Sequence, residues 1–295
     1  MKFFIIFFMF YSFLFSSDIL NYKVVNKSIV YKNKDYTVLR SFEKSKISYY
    51  LIVNENTLET KIIEKSKIKK FKTKNSKDTR YQKLLEKYKK PPFLLQNYGA
   101  TQVDTKYVYI TVDMCPSRKK GYEKDFFKNI IKKYANSSIT LFISGTWIEN
   151  HKEDFLELIR LKKEKQLDIV FGNHTFSHPY KKENPLIKNF LLSDNIDIKY
   201  EILELEKLLL AYDITPAILF RFPGLVSDKK TILLVNSLGL IPIGTNAWLA
   251  KEEPIQDGSI ILVHGNKNEP MGIKKFDNIV KNKDLEISSI LKDLH

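Results

Sequence analysis

The chain has 295 residues, with 49 Lys and Arg against 34 Asp and Glu, 43% hydrophobic residues and a single cysteine. This apolar share is ample for a folded core, and one cysteine cannot form an internal bridge, so the composition excludes disordered and disulfide-stapled proteins. Only five of the 49 basic residues are arginine. Because proteins that read nucleic acids favour arginine for paired contacts to bases and phosphates, the composition also argues against a nucleic-acid partner.

The net charge of +15 is concentrated in the first part of the chain. Residues 18–100 contribute +12, whereas residues 101–295 contribute +2. A lysine-rich solvated surface is the simpler explanation of this contrast. The alternative is that residues 18–100 contact an anionic surface of the cell envelope.

Residues 1–17 predict export. Lys2 precedes a mainly apolar run over residues 3–15, which matches the hydrophobic region of a signal peptide and is shorter than the ~20 residues of a membrane-spanning helix. A cut after Ser17 leaves Phe15 where a small residue is preferred, so the segment is either a cleaved signal peptide or a retained N-terminal anchor. Export without disulfides suits the periplasm or cell envelope of a bacterium.

Residues 20–70 contain short β-branched and aromatic runs separated by Lys, Asn and Glu clusters, a pattern that predicts a small antiparallel sheet. The predicted strands are 22–25, 28–31, 36–39, 47–53 and 60–63. A helix is predicted over 76–90, and it ends there because Pro91 and Pro92 cannot continue it. We place a domain boundary near residue 100, between a small basic β-rich region (18–100) and a larger domain (101–295).

The larger domain alternates between apolar strands and helices. The predicted strands are 107–112, 138–143, 167–171, 217–220, 240–244 and 259–263, and the predicted helices are 123–134, 147–165, 195–212 and 228–238. Continuous apolar strands separated by helices indicate a mostly parallel sheet covered by helices. About 195 residues suit one compact (β/α) barrel, and no Gly-x-Gly-x-x-Gly follows a strand, as a dinucleotide-binding fold would require.

Ionisable residues stand at four predicted strand ends. Asp113 ends YVYITVD, Arg221 ends AILFR, His264 ends SIILVH, and His174 follows LDIVFGN. In a β/α barrel the carboxyl ends of the strands converge at one mouth, where such folds place their active sites. The sequence therefore predicts one site that contains all four side chains.

Histidine spacing indicates a metal at this site. His174 and His178 stand four residues apart in NHTFSHP, and two imidazoles at this spacing can bind one divalent ion, for which Zn²⁺ is the natural candidate. The chain has only five histidines. Two of the five lie outside the predicted site: His151 is expected on an exposed helix surface, and His295 at a free terminus.

The motifs together resemble those of the polysaccharide deacetylases, the NodB-homology domain of carbohydrate esterases. That family carries, in order, T-F-D-D-G-P, H-[ST]-x-x-H, R-x-P-x-G, D-x-x-D-W and L-x-H. The corresponding segments here are Thr111-Val112-Asp113-Met114-Cys115-Pro116, His174 to His178, Arg221-Phe222-Pro223-Gly224, Trp248 alone, and Leu262-Val263-His264. The resemblance covers roughly residues 105–270.

The resemblance implies an irregular (β/α) barrel and an exported, metal-dependent hydrolase that removes N-acetyl groups from a cell-envelope or extracellular polysaccharide. It implies a divalent metal on His174 and His178, Asp113 as general base, Arg221 as its partner, His264 as general acid, and Pro223, Trp248 and Leu262 as substrate-binding residues. The residue types are consistent with these roles, because carboxylate and imidazole groups transfer protons and a metal activates water.

The sequence departs from the first motif at Met114, where the family has a second, metal-binding aspartate. A thioether is a poor ligand for a hard or borderline cation, so Met114 is expected to be a packing residue. Three consequences are open, in this order of preference: Asp113 itself binds the metal and is no longer a free base, the site is weak, or the Cys115 thiolate contributes. An aspartate introduced at position 114 is expected to restore a ligand.

The fourth motif also departs from the family, since Gly244 and Ala247 stand where its two aspartates would be. Asn246 is the candidate to replace part of the hydrogen bonding to Arg221. Because these aspartates are missing, a second hypothesis stays open, in which the protein is a catalytically impaired glycan-binding or scaffold protein.

Overall fold

The computed structural model describes residues 18–68, 70–72 and 78–295, which form two β-sheets and their helices. The predicted signal peptide or anchor, residues 1–17, lies outside the described residues. Within the described part of the chain, no helix is long and apolar enough to cross a membrane.

The N-terminal sheet is antiparallel, as predicted, with its four strands in sequence order. They are β1 (Ile19–Tyr31), β2 (Lys34–Lys44), β3 (Ile47–Asn54) and β4 (Thr60–Glu64). The predicted strands 22–25 and 28–31 are one strand, β1, whose pairing with β2 shifts register twice. Asn26 lies at the second shift with φ 51°, and this bulge interrupts the alternation of side chains on which the prediction relied.

The second sheet contains seven strands, all paired in parallel. They are β5 (Tyr109–Met114), β6 (Ser138–Ile143), β7 (Asp168–Asn173), β8 (Leu219–Phe220), β9 (Ile241–Pro242), β10 (Ala247–Trp248) and β11 (Ile260–His264). Their spatial order is β10-β11-β5-β6-β7-β8-β9. The sheet curls into an irregular (β/α) barrel, as predicted, and strands β8 to β10 keep only two paired residues each.

The helices are α1 (Arg80–Lys87), α2 (Lys124–Lys133), α3 (Gly145–Asn150), α4 (Lys152–Lys163), α5 (Ile198–Ala211), α6 (Lys229–Ser237), α7 (Pro270–Asn282) and α8 (Ile290–Asp293). The predicted helix 147–165 is two helices that meet at His151. The prediction that His151 is exposed is wrong: it is buried, and its ring nitrogens lie 3.1 Å from the carbonyl oxygen of Trp147 and 2.9 Å from that of Lys119.

Strand β5 presents two different faces. Ile110, Val112 and Met114 pack in the core that also holds the buried aromatic residues of α2, α4 and α7. Because successive strand residues point to opposite sides, Asp113 lies on the other face, and Cys115, the first residue after the strand, lines the same cavity as Asp113. This alternation decides which residues of the first motif reach the site.

The two sheets share a hydrophobic core, in which Phe42 of β2 and Leu210 of α5 belong to one cluster. A buried ion pair also joins them: the Arg40 guanidinium donates from Nε to Glu206 Oε2 at 2.7 Å and from Nη2 to Oε1 at 2.8 Å. Tyr22 Oη donates to the same carboxylate at 2.7 Å. The N-terminal sheet is therefore docked against α5 through both apolar and ionic contacts.

Candidate active site

A cavity of about 850 Å³ opens at the carboxyl ends of the barrel strands. Its lining includes Asp113, His174, His178 and His264, four of the predicted site residues. Arg221 lies buried behind Asp113 and bonds to it. The structure therefore brings the predicted acid-base, arginine and histidine side chains together.

Arg221 holds Asp113 through a direct ion pair. Its Nη1 donates to Asp113 Oδ1 at 2.8 Å and to Thr111 Oγ1 at 2.7 Å. The side chains of Arg221 and Asp113 are 0% and 5% exposed. This contact with the guanidinium holds the buried carboxylate in one orientation and leaves Asp113 Oδ2 outside it.

Backbone carbonyls complete the surroundings of Arg221. Nη2 donates to the Gly244 carbonyl oxygen at 2.8 Å, and Nε donates to that of Ile243 at 3.3 Å. The expectation that Asn246 bonds to Arg221 is wrong, because Asn246 Oδ1 accepts from the Ile260 backbone N–H at 3.1 Å. Two main-chain oxygens thus accept the hydrogen bonds from Arg221 that a side chain of the fourth motif was expected to accept.

The loop that carries His174 and His178, the histidines of the predicted metal site, has an unusual backbone. Thr175 and His178 have φ values of 68° and 46°, a conformation that is rare for residues other than glycine and costs about 1–3 kcal/mol. Side chains stabilise it: Asn173 Oδ1 accepts from the Thr175 N–H at 2.9 Å, and Glu201 accepts from the N–H and hydroxyl of Ser177 at 2.7 and 2.6 Å. This turn directs both imidazoles toward the cavity.

The tautomer of His174 follows from its main-chain contact. Nδ1 lies 2.8 Å from the carbonyl oxygen of Arg221, and a carbonyl can only accept, so Nδ1 carries a proton and Nε2 is the nitrogen available to a metal. Nε2 of His178 is buried and has no hydrogen-bond partner among the described residues. A metal ion is a natural partner for both nitrogens.

Cys115 lies with these two histidines. The donor atoms of Cys115, His174 and His178 all lie within 4.8 Å of one another, and Sγ is 3.5 Å from His174 Nε2. Burial by itself raises the pKa of the Cys115 thiol, but His178 and His174 outweigh burial and hold that pKa well below its ordinary value. Two imidazoles and a thiolate are a donor set that fits Zn²⁺.

Asp113, the other candidate third ligand, lies at the edge of this group. Its Oδ2 is 3.7 Å from His174 Nε2, and its Oδ1 is bonded to Arg221. Among the described residues, the group whose donors all lie within metal-binding reach of one another contains Cys115 and not Asp113. Met114 is fully buried in the core on the opposite face of β5, where its sulfur packs against Gly265.

His264 has an acidic partner that the sequence analysis missed. Its Nδ1 lies 2.7 Å from Glu269 Oε2, which also accepts from Trp248 Nε1 at 2.8 Å. Burial by itself lowers the pKa of His264, but the neighbouring Cys115 and Glu269 side chains outweigh burial and raise the pKa well above its ordinary value. A histidine that stays protonated at neutral pH can act as a general acid.

Of the three predicted substrate-binding residues, two line the cavity and one does not. Trp248 and Leu262 line the cavity. Pro223 is buried and lies outside the lining, to which its neighbours Gly224 and Leu225 contribute.

A family model described as polysaccharide deacetylase matches residues 100–243. This segment is a polysaccharide deacetylase domain. The deacetylase match spans β5 to β9 and so includes Asp113, His174, His178 and Arg221, whereas His264 and Glu269 follow it in the chain.

Solved structures with a similar fold include a family 4 carbohydrate esterase from Bacillus anthracis, 21% identical, with 75% of this chain and 93% of that chain covered and a TM-score of 0.49. A chitin deacetylase from the fungal pathogen Colletotrichum lindemuthianum is 18% identical, with 67% and 91% covered and a TM-score of 0.48. A family 4 pseudoenzyme from Bacillus anthracis is 17% identical, with 65% and 66% covered and a TM-score of 0.44.

Proposed function

We propose that this protein is an exported, metal-dependent hydrolase that removes N-acetyl groups from a cell-envelope or extracellular polysaccharide. The observation that supports this best is the pairing of two proton-transfer groups across one cavity. Asp113 is fixed by Arg221, and His264 contacts Glu269, while His174 and His178 line the same cavity. These are the groups that amide hydrolysis needs: a base, an acid and a metal-binding pair.

The residues divide the reaction between them. His174 and His178 would hold a divalent metal, which would supply Lewis acidity for the amide carbonyl and for water. Asp113 takes a proton from the attacking water through Oδ2, the oxygen that Arg221 leaves free. His264 gives a proton to the nitrogen as the carbon–nitrogen bond breaks, so that acetate and a free sugar amine are the products.

Two cavity walls suit a sugar. Trp248 and Leu262 provide apolar surface, and the indole of Trp248 is held by its N–H bond to Glu269. An anchored aromatic ring can stack on the apolar face of a sugar while polar groups bind its edges.

The basic N-terminal region fits the proposed location. Residues 18–100 carry a net +12, which would attract an anionic envelope surface and hold the enzyme near its polymer. Export itself is proposed from residues 1–17, which read as a signal peptide or anchor.

The proposal is tested by acetate release from N-acetylglucosamine oligomers with zinc-loaded protein. Asp113→Asn is expected to lower the rate by about 10²- to 10⁴-fold, the range typical of a general base, and to retain bound metal. Asp125→Asn is the matched control, because the Asp125 side chain is 92% exposed and lies outside the cavity lining. Metal-loaded wild-type protein that binds such oligomers without releasing acetate would instead support the glycan-binding alternative.

A further inference from the structure

We infer that the thiolate of Cys115 is the third protein ligand of the metal site, and that the site therefore selects Zn²⁺ or another sulfur-binding cation over Mg²⁺ and Mn²⁺. The inference rests on the proposed function in one respect: both assign the metal to His174 and His178. It concerns which ion the site binds, so it can hold whether or not the protein releases acetate.

Strand alternation puts Cys115 on the site face. Asp113 lies on β5 and Cys115 directly follows the last residue of that strand, Met114. Asp113 and Cys115 both line the cavity, whereas Met114 packs in the core on the other side. The position that lost its aspartate is therefore not the one that faces the histidines. The backbone fixes the thiol further, because Asn266 Nδ2 donates to the Cys115 carbonyl oxygen at 2.7 Å.

The donor atoms converge without further rearrangement of the fold. Cys115 Sγ, His174 and His178 already lie within 4.8 Å of one another. The main-chain contact of His174 Nδ1 leaves Nε2 as its ligand atom, and that atom is 3.5 Å from Sγ. Asp113 is less available, since its Oδ1 is held by a buried guanidinium.

The chemistry of the donor set then decides the ion. A thiolate with two imidazoles suits Zn²⁺ and Co²⁺, whereas Mg²⁺ and Mn²⁺ prefer carboxylate, carbonyl and water oxygens. Binding converts the Cys115 thiol to thiolate and releases its proton to solvent, so no other reactant is needed.

The chain contains one cysteine, so any sulfur signal reports on Cys115 alone. Protein loaded with Co²⁺ is expected to show a sulfur-to-cobalt charge-transfer band in the near ultraviolet. Cys115→Ser should lose that band and weaken Zn²⁺ binding at least tenfold, equivalent to about 1.4 kcal/mol. Zn²⁺, but not Mg²⁺, should also protect the thiol from a disulfide reagent.

Met114→Leu is the matched control, because it changes the adjacent core side chain at similar volume and should keep the band. His178→Gln should lose both the band and tight Zn²⁺ binding. A cobalt-loaded wild type without a charge-transfer band, or a band that survives in Cys115→Ser, would overturn the inference. Because these readouts do not use substrate, inactivity on every glycan would leave the assignment of Cys115 intact while removing the proposed function.

Discussion

At the scale of single residues, Glu269 connects two groups of the cavity. One carboxylate oxygen contacts His264 Nδ1 and accepts the indole N–H of Trp248. A charged partner fixes the ring of His264 and favours its protonated form, while the shared bond ties the acid to a cavity wall. Glu269 is thus a positioning residue for the proposed acid.

Glu269→Gln should move the basic limb of the pH–rate profile to lower pH. With Glu269 present, the raised pKa keeps His264 protonated to higher pH, and activity that needs the proton is lost as pH rises through that pKa. Glutamine removes the negative charge, so the pKa falls and the loss begins at lower pH.

The measurement is kcat for acetate release as a function of pH. Glu253→Gln is the control, since Glu253 accepts from the backbone N–H of Trp248 at 2.7 Å and lies outside the cavity lining. Superimposable basic limbs for wild type and Glu269→Gln would contradict the role given to Glu269.

At the scale of elements, the sequence predicted strands best where they are long and apolar. Strand β6 matches its predicted bounds of 138–143, because a continuous buried run has clear ends. Strands β8 and β9 are shorter than predicted, since the curl of the sheet leaves only two residues of each in register. Helix α7 went unpredicted, although Pro270 stands in its first turn, a common helix start.

The site was predictable where chemistry follows directly from a strand end. Asp113, His174, Arg221 and His264 meet as expected, because parallel strands end on one side of a barrel. Glu269 was missed because it returns to the cavity through a loop, five residues after His264. Cys115 was the least favoured candidate for the third metal ligand, because the linear motif aligns Met114 with the family's metal-binding aspartate. Only the structure shows that Cys115 faces the cavity and that Met114 faces the core.

Met114→Asp tests that register directly. The sequence alone predicts that the new carboxylate tightens metal binding, whereas the structure places position 114 in a buried apolar core. Burying an unpaired carboxylate there should lower the free energy of unfolding by more than ~2 kcal/mol without tightening Zn²⁺ binding.

Urea unfolding and zinc titration measure the two effects, and Met114→Leu, which conserves volume, should change stability by less than ~1.5 kcal/mol. A Met114→Asp variant with normal stability and tighter zinc binding would show that this side chain reaches the site.

At the scale of the whole molecule, the basic N-terminal sheet and the barrel are held by one core. Phe42 and Leu51 of the sheet belong to the same buried cluster as Leu210 and Ile218 of the barrel domain. The predicted domain boundary near residue 100 rests on the change in net charge along the chain and on Pro91-Pro92. Neither feature contains information about contacts between segments that are distant in sequence. A shared core predicts that the two parts unfold together.

Arg40 and Glu206 provide the sharpest test of that coupling. Both side chains are at most 2% exposed, so Glu206→Gln leaves a buried guanidinium without its counter-charge and should lower the free energy of unfolding by about 3–5 kcal/mol. Asp213→Asn is the matched control on the same interface, because it removes the 66% exposed partner of Lys44 and should cost under ~1 kcal/mol.

Calorimetry measures both effects. The wild type is expected to show one cooperative transition, which Glu206→Gln moves to lower temperature as a single peak, since the pair joins β2 to α5 across the shared core. Two separate transitions in the wild type, with Glu206→Gln lowering only one of them, would instead mean that residues 18–100 fold as an independent module. In that case the barrel would retain its zinc site after the N-terminal sheet had melted, which zinc-dependent stabilisation of the second transition would reveal.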